Sequence, residues 1–445
     1  MSQRRDFLKQ SIAVGLCAAW SQSAYAALAP DARAGIIRAL RRRDDTIVKL
    51  PTIGDGYKMT WTPDNRQLTV VNDGAGWVNP PDMFYKRSLW SIGGNDPHEA
   101  SAHIVDGYPS VEQSQEPEEA PHYHGHGLLA VNGRIYQFLT ALDRAEDRPR
   151  HWTTAKLIYS EDGGRTWRNQ DGTSPVQWED WHEQKKDKFA FFNEPDGCFS
   201  LLTVLQMGQD YRANRDGYIY VYGTNGSVDG KMNELVLFRV GIEEILDRRA
   251  YRFFAGIQPD GTPLWSPVLD DRQPVHVFPR GWVNSTNLFP GDLVVETWLP
   301  SIVFNEALDA YMMVSAGNGC ADDGTEFGKP SYLGFWISET PWGPWRQVHE
   351  ERAWTPGGDP QSRAYSPQIS PKWMSDDGKS FWLVWTDLKG IREIAQATNA
   401  PDEGDSPEAK SAPSASEAAL EANEVMHSFM PGYGFNAQLV ELDVV

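Results

Sequence analysis

Two aspartates beside glycines are the residues in this sequence best suited to acid–base chemistry. Asp55 follows Gly54 and Asp73 precedes Gly74, each in a turn at the end of a β-like run. Cleavage of a glycosidic bond needs two flanking carboxyl groups, one protonated and one ionised. We therefore predict that Asp73 is the nucleophile or base and that Asp55 is its acid partner. The alternative is that Asp beside Gly only shapes the two turns.

Glu296 is a third carboxylate candidate. It lies in the run Leu293–Trp298, which is otherwise mostly apolar. A carboxylate in such a strand is costly to bury unless it is paired. We predict that it acts as a general acid with a raised pKa. The alternative is an ion-paired residue of the core, because structural ion pairs also perturb pKa values.

Three histidines alternate with other residues at His122, His124 and His126. Residues i, i+2 and i+4 of a strand share one face, so the three imidazoles could converge. Three neutral imidazoles can bind Zn²⁺ and leave one position open. However, they would span about 13 Å along a flat strand, which is awkward for one tetrahedral ion. We assign no metal ligand and predict that His124 and His126 bind sugar or transfer protons. The alternative is an ordinary polar loop.

Arg215 and Trp61 are predicted to bind substrate. The planar guanidinium of Arg215 could hold a carboxylate or a pair of hydroxyl groups. A structural ion pair of Arg215 with Asp216 is the alternative. Trp61 is one of 18 Trp in a chain that also has 16 Tyr. Aromatic faces stack on sugar rings, although packing between β-sheets also explains many of them.

Short β-like runs separated by turn residues fill the chain from about residue 45 onward. Asn132-Gly133 separates two such runs by two residues, which is a strong hairpin signal. Only residues 31–43 and 242–247 have fair helical periodicity. The pattern predicts an all-β sandwich, barrel or propeller.

One local pattern narrows this choice. Ser160–Trp167 matches S-x-D-x-G-x-T-W, the Asp box of sialidases, and follows the β-like run Lys156–Tyr159. We expect Asp162 to tie the hairpin backbone and Trp167 to pack between strands. A weaker copy covers Ser338–Trp345. Repeated strand–turn–aromatic units favour propeller blades.

Several segments in order carry a resemblance to a known family. They are Gly54–Tyr57, Thr60-Trp61, Asn72–Gly76, Gly127–Phe138, Gly208–Tyr211, Arg215–Tyr220 and Pro300–Asn305. With the Asp-box turn, they resemble an uncharacterised-domain family of secreted propellers that includes the endo-D-arabinanases of actinobacteria. The resemblance implies a five-bladed β-propeller in a single domain over residues 45–445, and carbohydrate processing. It also implies that Asp55 and Asp73 match the first and second acidic positions of the family.

The N-terminus has the features of an export signal. Arg4-Arg5 precede a short apolar stretch, and Ala24-Tyr25-Ala26 forms a cleavage site. This resembles a twin-arginine signal, so we expect residues 1–26 to be removed and the protein to reach the periplasm or the exterior. Residues 27–44 are predicted as a helical lead-in. The low-complexity stretch 399–424 is predicted as a surface insertion before a final strand, which would complete a blade begun at the N-terminus.

Composition excludes several classes of partner. The chain has 445 residues with 41 Lys and Arg against 61 Asp and Glu, a net charge of −20. That balance argues against nucleic acid or an anionic bilayer surface as a partner. After the signal there is no apolar run of about 18 residues, so no membrane span is expected. No prediction of oligomeric state follows.

Cysteine usage and cofactors are less informative. Cys198 and Cys320 remain after removal of the signal. They could pair in an oxidising compartment, and we leave that open. No cofactor is assigned with certainty. No run of ligands typical of an EF-hand is present. A structural Ca²⁺ or Zn²⁺ bound in another way stays an open alternative.

The leading hypothesis is an exported glycoside hydrolase acting on a polysaccharide or oligosaccharide. A polysaccharide lyase using His and Tyr is the first alternative. Such an enzyme must neutralise a uronate, so Arg215 near His124 would favour it. A non-catalytic carbohydrate-binding propeller is the second alternative, and a metal-dependent enzyme built on the three histidines is the third.

Overall fold

The computed structural model describes most of the chain. The residues described are 37–78, 83–112, 122–142, 152–179, 183–186, 188–226, 231–279, 299–321, 327–391, 424, 426 and 428–445. The signal region, Glu296 and nearly all of the insertion 399–424 lie outside them. The described elements form five antiparallel sheets arranged as a five-bladed β-propeller, as predicted.

The strands follow one another blade by blade, except that the first two belong to the last blade. These are β1 (Ile37–Arg42) and β2 (Val48–Lys49). Blade 1 contains β3 (Ile53–Asp55), β4 (Met59–Trp61), β5 (Gln67–Gly76), β6 (Tyr85–Gly93), β7 (Ser101–Ile104) and β8 (Val111–Glu112). Blade 2 contains β9 (His122–Val131), β10 (Arg134–Leu142), β11 (Trp152–Ser160), β12 (Arg168–Asn169) and β13 (Ala190–Asn193).

The remaining blades have the same antiparallel order. Blade 3 contains β14 (Leu202–Val204), β15 (Tyr218–Thr224), β16 (Glu234–Gly241), β17 (Arg252–Ile257), β18 (Pro263–Ser266) and β19 (His276–Val277). Blade 4 contains β20 (Ser301–Asn305), β21 (Ala310–Gly317), β22 (Tyr332–Ser338) and β23 (Arg346–Glu351). Blade 5 contains β24 (Ala364–Met374), β25 (Ser380–Asp387) and β26 (Asn436–Val444), with β1 and β2 paired to β26. Short 3-10 turns lie at Asp44–Thr46, Gln209–Tyr211, Ile242–Glu244, Arg248–Ala250, Leu269–Asp271 and Pro356–Gly358.

The ring is closed by the two chain ends. β1 pairs antiparallel with β26, with Ile37 opposite Val444. The helix predicted over residues 31–43 is therefore wrong for residues 37–42. A shift of register between Ile37 and Ala39 places Ile37 and Leu40 on the buried side, so their spacing of three residues imitates a helix. The second predicted helix, 242–247, is only the 3-10 turn Ile242–Glu244.

The first strand of each blade lies at the central axis. Residues from all five blades line one small axial cavity: Lys58, Gly127, Thr203, Gln206, Ser301 and Gln368. Its volume of about 10 Å³ has room for about one water molecule. At this point on the axis, the described residues leave too little room for a sugar ring.

The turn Ser160–Trp167 is held by its own side chains. Asp162 accepts hydrogen bonds from the Thr166 backbone N–H at 2.9 Å and from the Thr166 hydroxyl at 2.7 Å. The Trp167 indole N–H donates to the Gly164 carbonyl at 2.9 Å. The indole is buried and packs edge-on against Tyr108. Asp162 is thus engaged in stabilising the hairpin, the structural role expected of it.

Two further observations concern membrane-spanning helices and the cysteines. Within the described ranges, no helix is long and apolar enough to cross a membrane. Cys198 is buried and is not joined to Cys320 by a disulfide. Burial raises the pKa of the Cys198 thiol, so this thiol is poorly suited to nucleophilic chemistry.

Candidate functional site

Asp55 and Asp73 lie together at one end of the propeller. Asp55 is the last residue of β3 and is paired with Asn72 on β5, next to Asp73. The Tyr433 hydroxyl lies 3.3 Å from Asp55 Oδ2 and donates to the Asp73 carbonyl oxygen at 2.9 Å. We call the end that contains Asp55, Asp73, His124 and Tyr433 the carboxylate end.

The backbone at Asp73 departs from regular strand geometry. Asp73 has a φ of 48°, in the left-handed region that Asp tolerates better than most residues. Gly74 follows and lies against the Ile53 carbonyl, where a Cβ atom would collide. Glycine is therefore required where β5 approaches β3, and the side chain of Asp73 is re-aimed within its strand.

Asp73 is held between two basic side chains. Lys86 Nζ lies 2.6 Å from Asp73 Oδ1, and His124 Nε2 lies 3.4 Å from Asp73 Oδ2. Burial acts to raise the pKa of Asp73, but the charge of Lys86 and the contact with His124 outweigh it. The pKa of Asp73 is consequently well below its usual range. The side chain is still 29% exposed, so an ionised carboxylate is available to a ligand.

His126 differs from His124 in its surroundings. It is 2% exposed, and neither ring nitrogen has a hydrogen-bond partner among the described residues. Burial, with the nearby charge of Lys58, holds the pKa of His126 well below the ordinary value. His126 is therefore a neutral imidazole. Both histidines contact Trp152 edge-on, at ring-centroid distances of 5.3 Å from His124 and 6.3 Å from His126.

The described residues do not assemble the metal site considered for the histidines. His122 belongs to β9, but its side chain lies outside what the structure describes. Within the described ranges, no group of three or more His, Cys, Asp or Glu is arranged to hold a metal ion.

Trp61 lies away from the carboxylates. It is opposite Gln67 at the start of β5, and its indole N–H donates to Asn65 Oδ1 at 3.0 Å. Asp73 is six residues further along β5, which corresponds to about 20 Å. Trp61 therefore does not lie beside Asp73, because the length of the strand separates them, and its role in substrate binding stays a prediction.

Arg215 is also at the other end. It pairs with Asp309 at 2.6 Å, and Asp210 of the same loop accepts from the Gly133 N–H at 3.0 Å. Gly133 follows β9, whereas His124 lies near its start, about 25–30 Å away. We call the end with Asn65, Gly133, Asp210, Arg215 and Asp309 the far end. Arg215 is therefore apart from the carboxylate end, because its loop joins β14 to β15 at the far end, and its role in substrate binding stays a prediction.

Lys86 and Tyr433 were not predicted as site residues. Lys86 is the second residue of β6, and nothing in its local sequence marks it as a partner of Asp73. Tyr433 follows the low-complexity stretch and reaches Asp73 across 360 positions of the chain. Only ring closure brings it to blade 1. Glu296, the third predicted carboxylate, lies outside the described residues.

Comparison with solved structures gives distant similarities. A protein of Bacteroides ovatus is 14% identical with a TM-score of 0.48, covering 88% of this chain and 87% of its own. The catalytic domain of the Coprinopsis cinerea GH62 α-L-arabinofuranosidase is 9% identical with a TM-score of 0.40, covering 92% and 98%. An endo-arabinase from Bacteroides thetaiotaomicron is 11% identical with a TM-score of 0.41, covering 76% and 92%.

Sequence comparison gives one clear match. No curated protein matches the chain. A family model does match residues 125–389, which is more than half of the 445 residues. The matched region begins at Gly125 and so does not include Asp55 or Asp73. On this match, the chain belongs to the family described as a domain of unknown function, DUF4185.

Proposed function

We propose that the protein is a glycoside hydrolase that cleaves a polysaccharide or oligosaccharide. The observation that carries this proposal is the state of Asp73. Its carboxylate is partly exposed, and Lys86 at 2.6 Å and His124 at 3.4 Å keep it ionised. An ionised carboxylate beside a second carboxyl group is the arrangement that glycoside cleavage requires.

The two carboxyl groups take different roles. Asp73 cannot serve as the general acid near neutral pH, because its low pKa leaves it without a proton. It acts as the nucleophile or as the base that activates water. Asp55, which shares Tyr433 with Asp73, supplies the proton to the leaving oxygen. His124 holds the Asp73 carboxylate in place.

The sequence resemblance supports a carbohydrate substrate. The chain resembles the secreted propeller family that includes endo-D-arabinanases, and by that resemblance Asp55 and Asp73 are expected at its acidic positions. The lyase alternative loses its supporting condition, because Arg215 lies at the far end and is paired with Asp309. At the carboxylate end, the cationic side chain of Lys86 already forms an ion pair with Asp73.

We also propose that the protein is exported in folded form. Arg4-Arg5, the apolar stretch and Ala24-Tyr25-Ala26 support a twin-arginine signal that is removed after Ala26. N-terminal sequencing of the protein from the periplasmic fraction tests this. A start at Ala27 is expected, and an intact N-terminus in the cytoplasmic fraction would contradict it.

Product release tests the hydrolase proposal. The protein of residues 27–445 is incubated with arabinans, xylans, pectins and uronate polymers. Reducing ends and the ultraviolet absorbance of unsaturated uronates are recorded together. We expect reducing ends without absorbance, and none from the double variant Asp55→Asn/Asp73→Asn. Ultraviolet absorbance would indicate a lyase instead. Sugar binding without any product would indicate a binding module.

A further inference from the structure

We infer that a cavity beside Tyr433 is a subsite for one or two uncharged sugar residues adjoining the bond that is cleaved. This inference rests on the proposed function and specifies its substrate as a neutral glycan. It follows from where the cavity lies, how large it is, and which groups line it.

One residue of the cavity lining, Tyr433, contacts both Asp55 and Asp73. The cavity lies between the segment Lys49–Ile53 and the segment Pro431–Gly434, and Tyr433 is part of its lining. The hydroxyl of the same Tyr433 lies 3.3 Å from the Asp55 carboxylate and donates to the Asp73 backbone carbonyl at 2.9 Å. Ile53, two residues before Asp55, also lines it. Tyr433 therefore connects the lining of the cavity directly to the Asp55 carboxylate and to the backbone of Asp73.

The size of the cavity suits a short piece of glycan. Its volume is about 400 Å³, about 40 times that of the axial cavity of about 10 Å³. This is within the usual range of small-molecule pockets, about 300–1,000 Å³. One or two sugar residues fit. The axial cavity, in contrast, admits about one water molecule.

The described part of the lining is mainly apolar, and the charges of its residues cancel. Leu50, Ile53, Val78 and Pro431 offer apolar surface to the C–H face of a sugar ring. Among the described lining residues, Lys49 and Glu424 are the two that carry charge, and their charges are opposite. A chain of uronates would need several cationic groups to replace the water around its carboxylates. A neutral glycan needs none.

Ser428 provides a way to fill the cavity without disturbing the core. It lines the cavity and its side chain is exposed. Ser428→Trp adds an indole at the rim and removes no buried contact. Ser101, an exposed residue of β7 on the outer side of blade 1, gives the matched control Ser101→Trp.

Calorimetric titration tests the inference independently of turnover. The double variant Asp55→Asn/Asp73→Asn is used because it should not cleave the oligosaccharides. Each Trp substitution is made in this background. The probes are arabino- and xylo-oligosaccharides and oligogalacturonates, each of about two to four residues. We expect a neutral oligosaccharide to bind, Ser428→Trp to weaken it at least about tenfold, and Ser101→Trp to change it less than about twofold.

Three results would overturn the inference: equal binding by both Trp variants, preference for oligogalacturonate, or no neutral oligosaccharide bound by the open cavity. Hydrolysis is measured separately on the proteins with both aspartates intact. Binding blocked by Ser428→Trp with no hydrolysis would reject the hydrolase and keep the subsite. Hydrolysis unaffected by Ser428→Trp would keep the hydrolase and reject the subsite.

Discussion

Lys86 and Asp73 form a 2.6 Å ion pair across two neighbouring strands of blade 1, at the end of the propeller where Asp55 also lies. The Lys86 side chain is 12% exposed and the Asp73 side chain 29% exposed. The pair therefore fixes the ionised form of Asp73 while leaving the carboxylate accessible. This relationship makes the proposed assignment of base and acid testable by pH.

The variant Lys86→Met is expected to shift the acid limb of the pH–activity profile upward. In the native protein, the lowered pKa keeps Asp73 ionised to well below pH 3.8. Its contribution to the free energy of unfolding is present above that pH and is lost only as pH falls toward the lowered pKa. Without Lys86, burial raises the pKa, so we expect a shift of about 1–3 pH units.

Lys379→Met is the matched control for this profile, because Lys379 is an exposed lysine of the turn before β25. Its acid limb should coincide with that of the native protein. If Lys86→Met also leaves the acid limb in place while activity is retained, Asp73 is not the ionised group on which activity depends.

His276 is expected to make the fold less stable in mild acid. Burial lowers the pKa of His276 to about 4, and its Nε2 has no hydrogen-bond partner among the described residues. The imidazole stays neutral in the fold but gains a proton in the unfolded chain below about pH 6.5. Between pH 7.5 and 5, this removes about 1–2 kcal/mol from the free energy of unfolding.

Denaturant unfolding of the native protein and of His276→Phe at these two pH values checks this. Phe can occupy the place of the ring beside Phe278 and Trp336 and does not titrate. The loss of stability on acidification should be smaller in the variant by that amount. An equal loss in both proteins would show that His276 takes up its proton in the folded state.

Ring closure by β26 is expected to be essential for folding. β26 pairs with β25 on one side and with β1 and β2 on the other. Deletion of residues 436–445 leaves blade 5 with two strands and exposes its edges. We expect no cooperative thermal transition by circular dichroism. Deletion of Val445 alone, which lies beyond β26 and is 66% exposed, should leave the transition unchanged.

Arg215→Ala is expected to leave activity within about twofold of the native value. Arg215 lies at the far end, and about 25–30 Å separates the two ends of an inner strand. The variant removes the ion pair with Asp309 at the far end. Initial rates at several substrate concentrations check it. A loss of kcat with the fold intact would return Arg215 to the site and revive the lyase alternative.

The fold could be predicted from local signals, whereas parts of it that depend on ring closure could not. Asn132-Gly133 and the turn at Ser160–Trp167 marked hairpins because their bonds are local. The strand β1 imitated a helix, since its bulge spaces Ile37 and Leu40 by three residues. Its pairing with β26 joins residues about 400 positions apart, for which no local pattern exists.

The residues of the candidate site also differ in whether a local sequence signal marks them. Asp55 and Asp73 could be proposed from the sequence because each stands beside a glycine, although Asp73 lies within the strand β5 and not in a turn. Trp61 and Arg215 lie at the other end from Asp73, which the sequence could not reveal, because residue type says nothing about which end of a strand faces the ligand. Lys86 and Tyr433 were missed, since their importance comes only from contact with Asp73. The roles of the Lys86 ammonium group and the Tyr433 hydroxyl depend on their contacts in the folded protein.

The most direct measurement compares Asp73→Asn with Asp309→Asn for the release of reducing ends from the polymer panel. Both aspartates have a positive φ, 48° and 52°, and both pair with a basic side chain at 2.6 Å. They differ in the end of the propeller at which they lie. The proposed function predicts that Asp73→Asn loses about 10³-fold or more of the activity while Asp309→Asn keeps it. Equal activity in the two variants would contradict it.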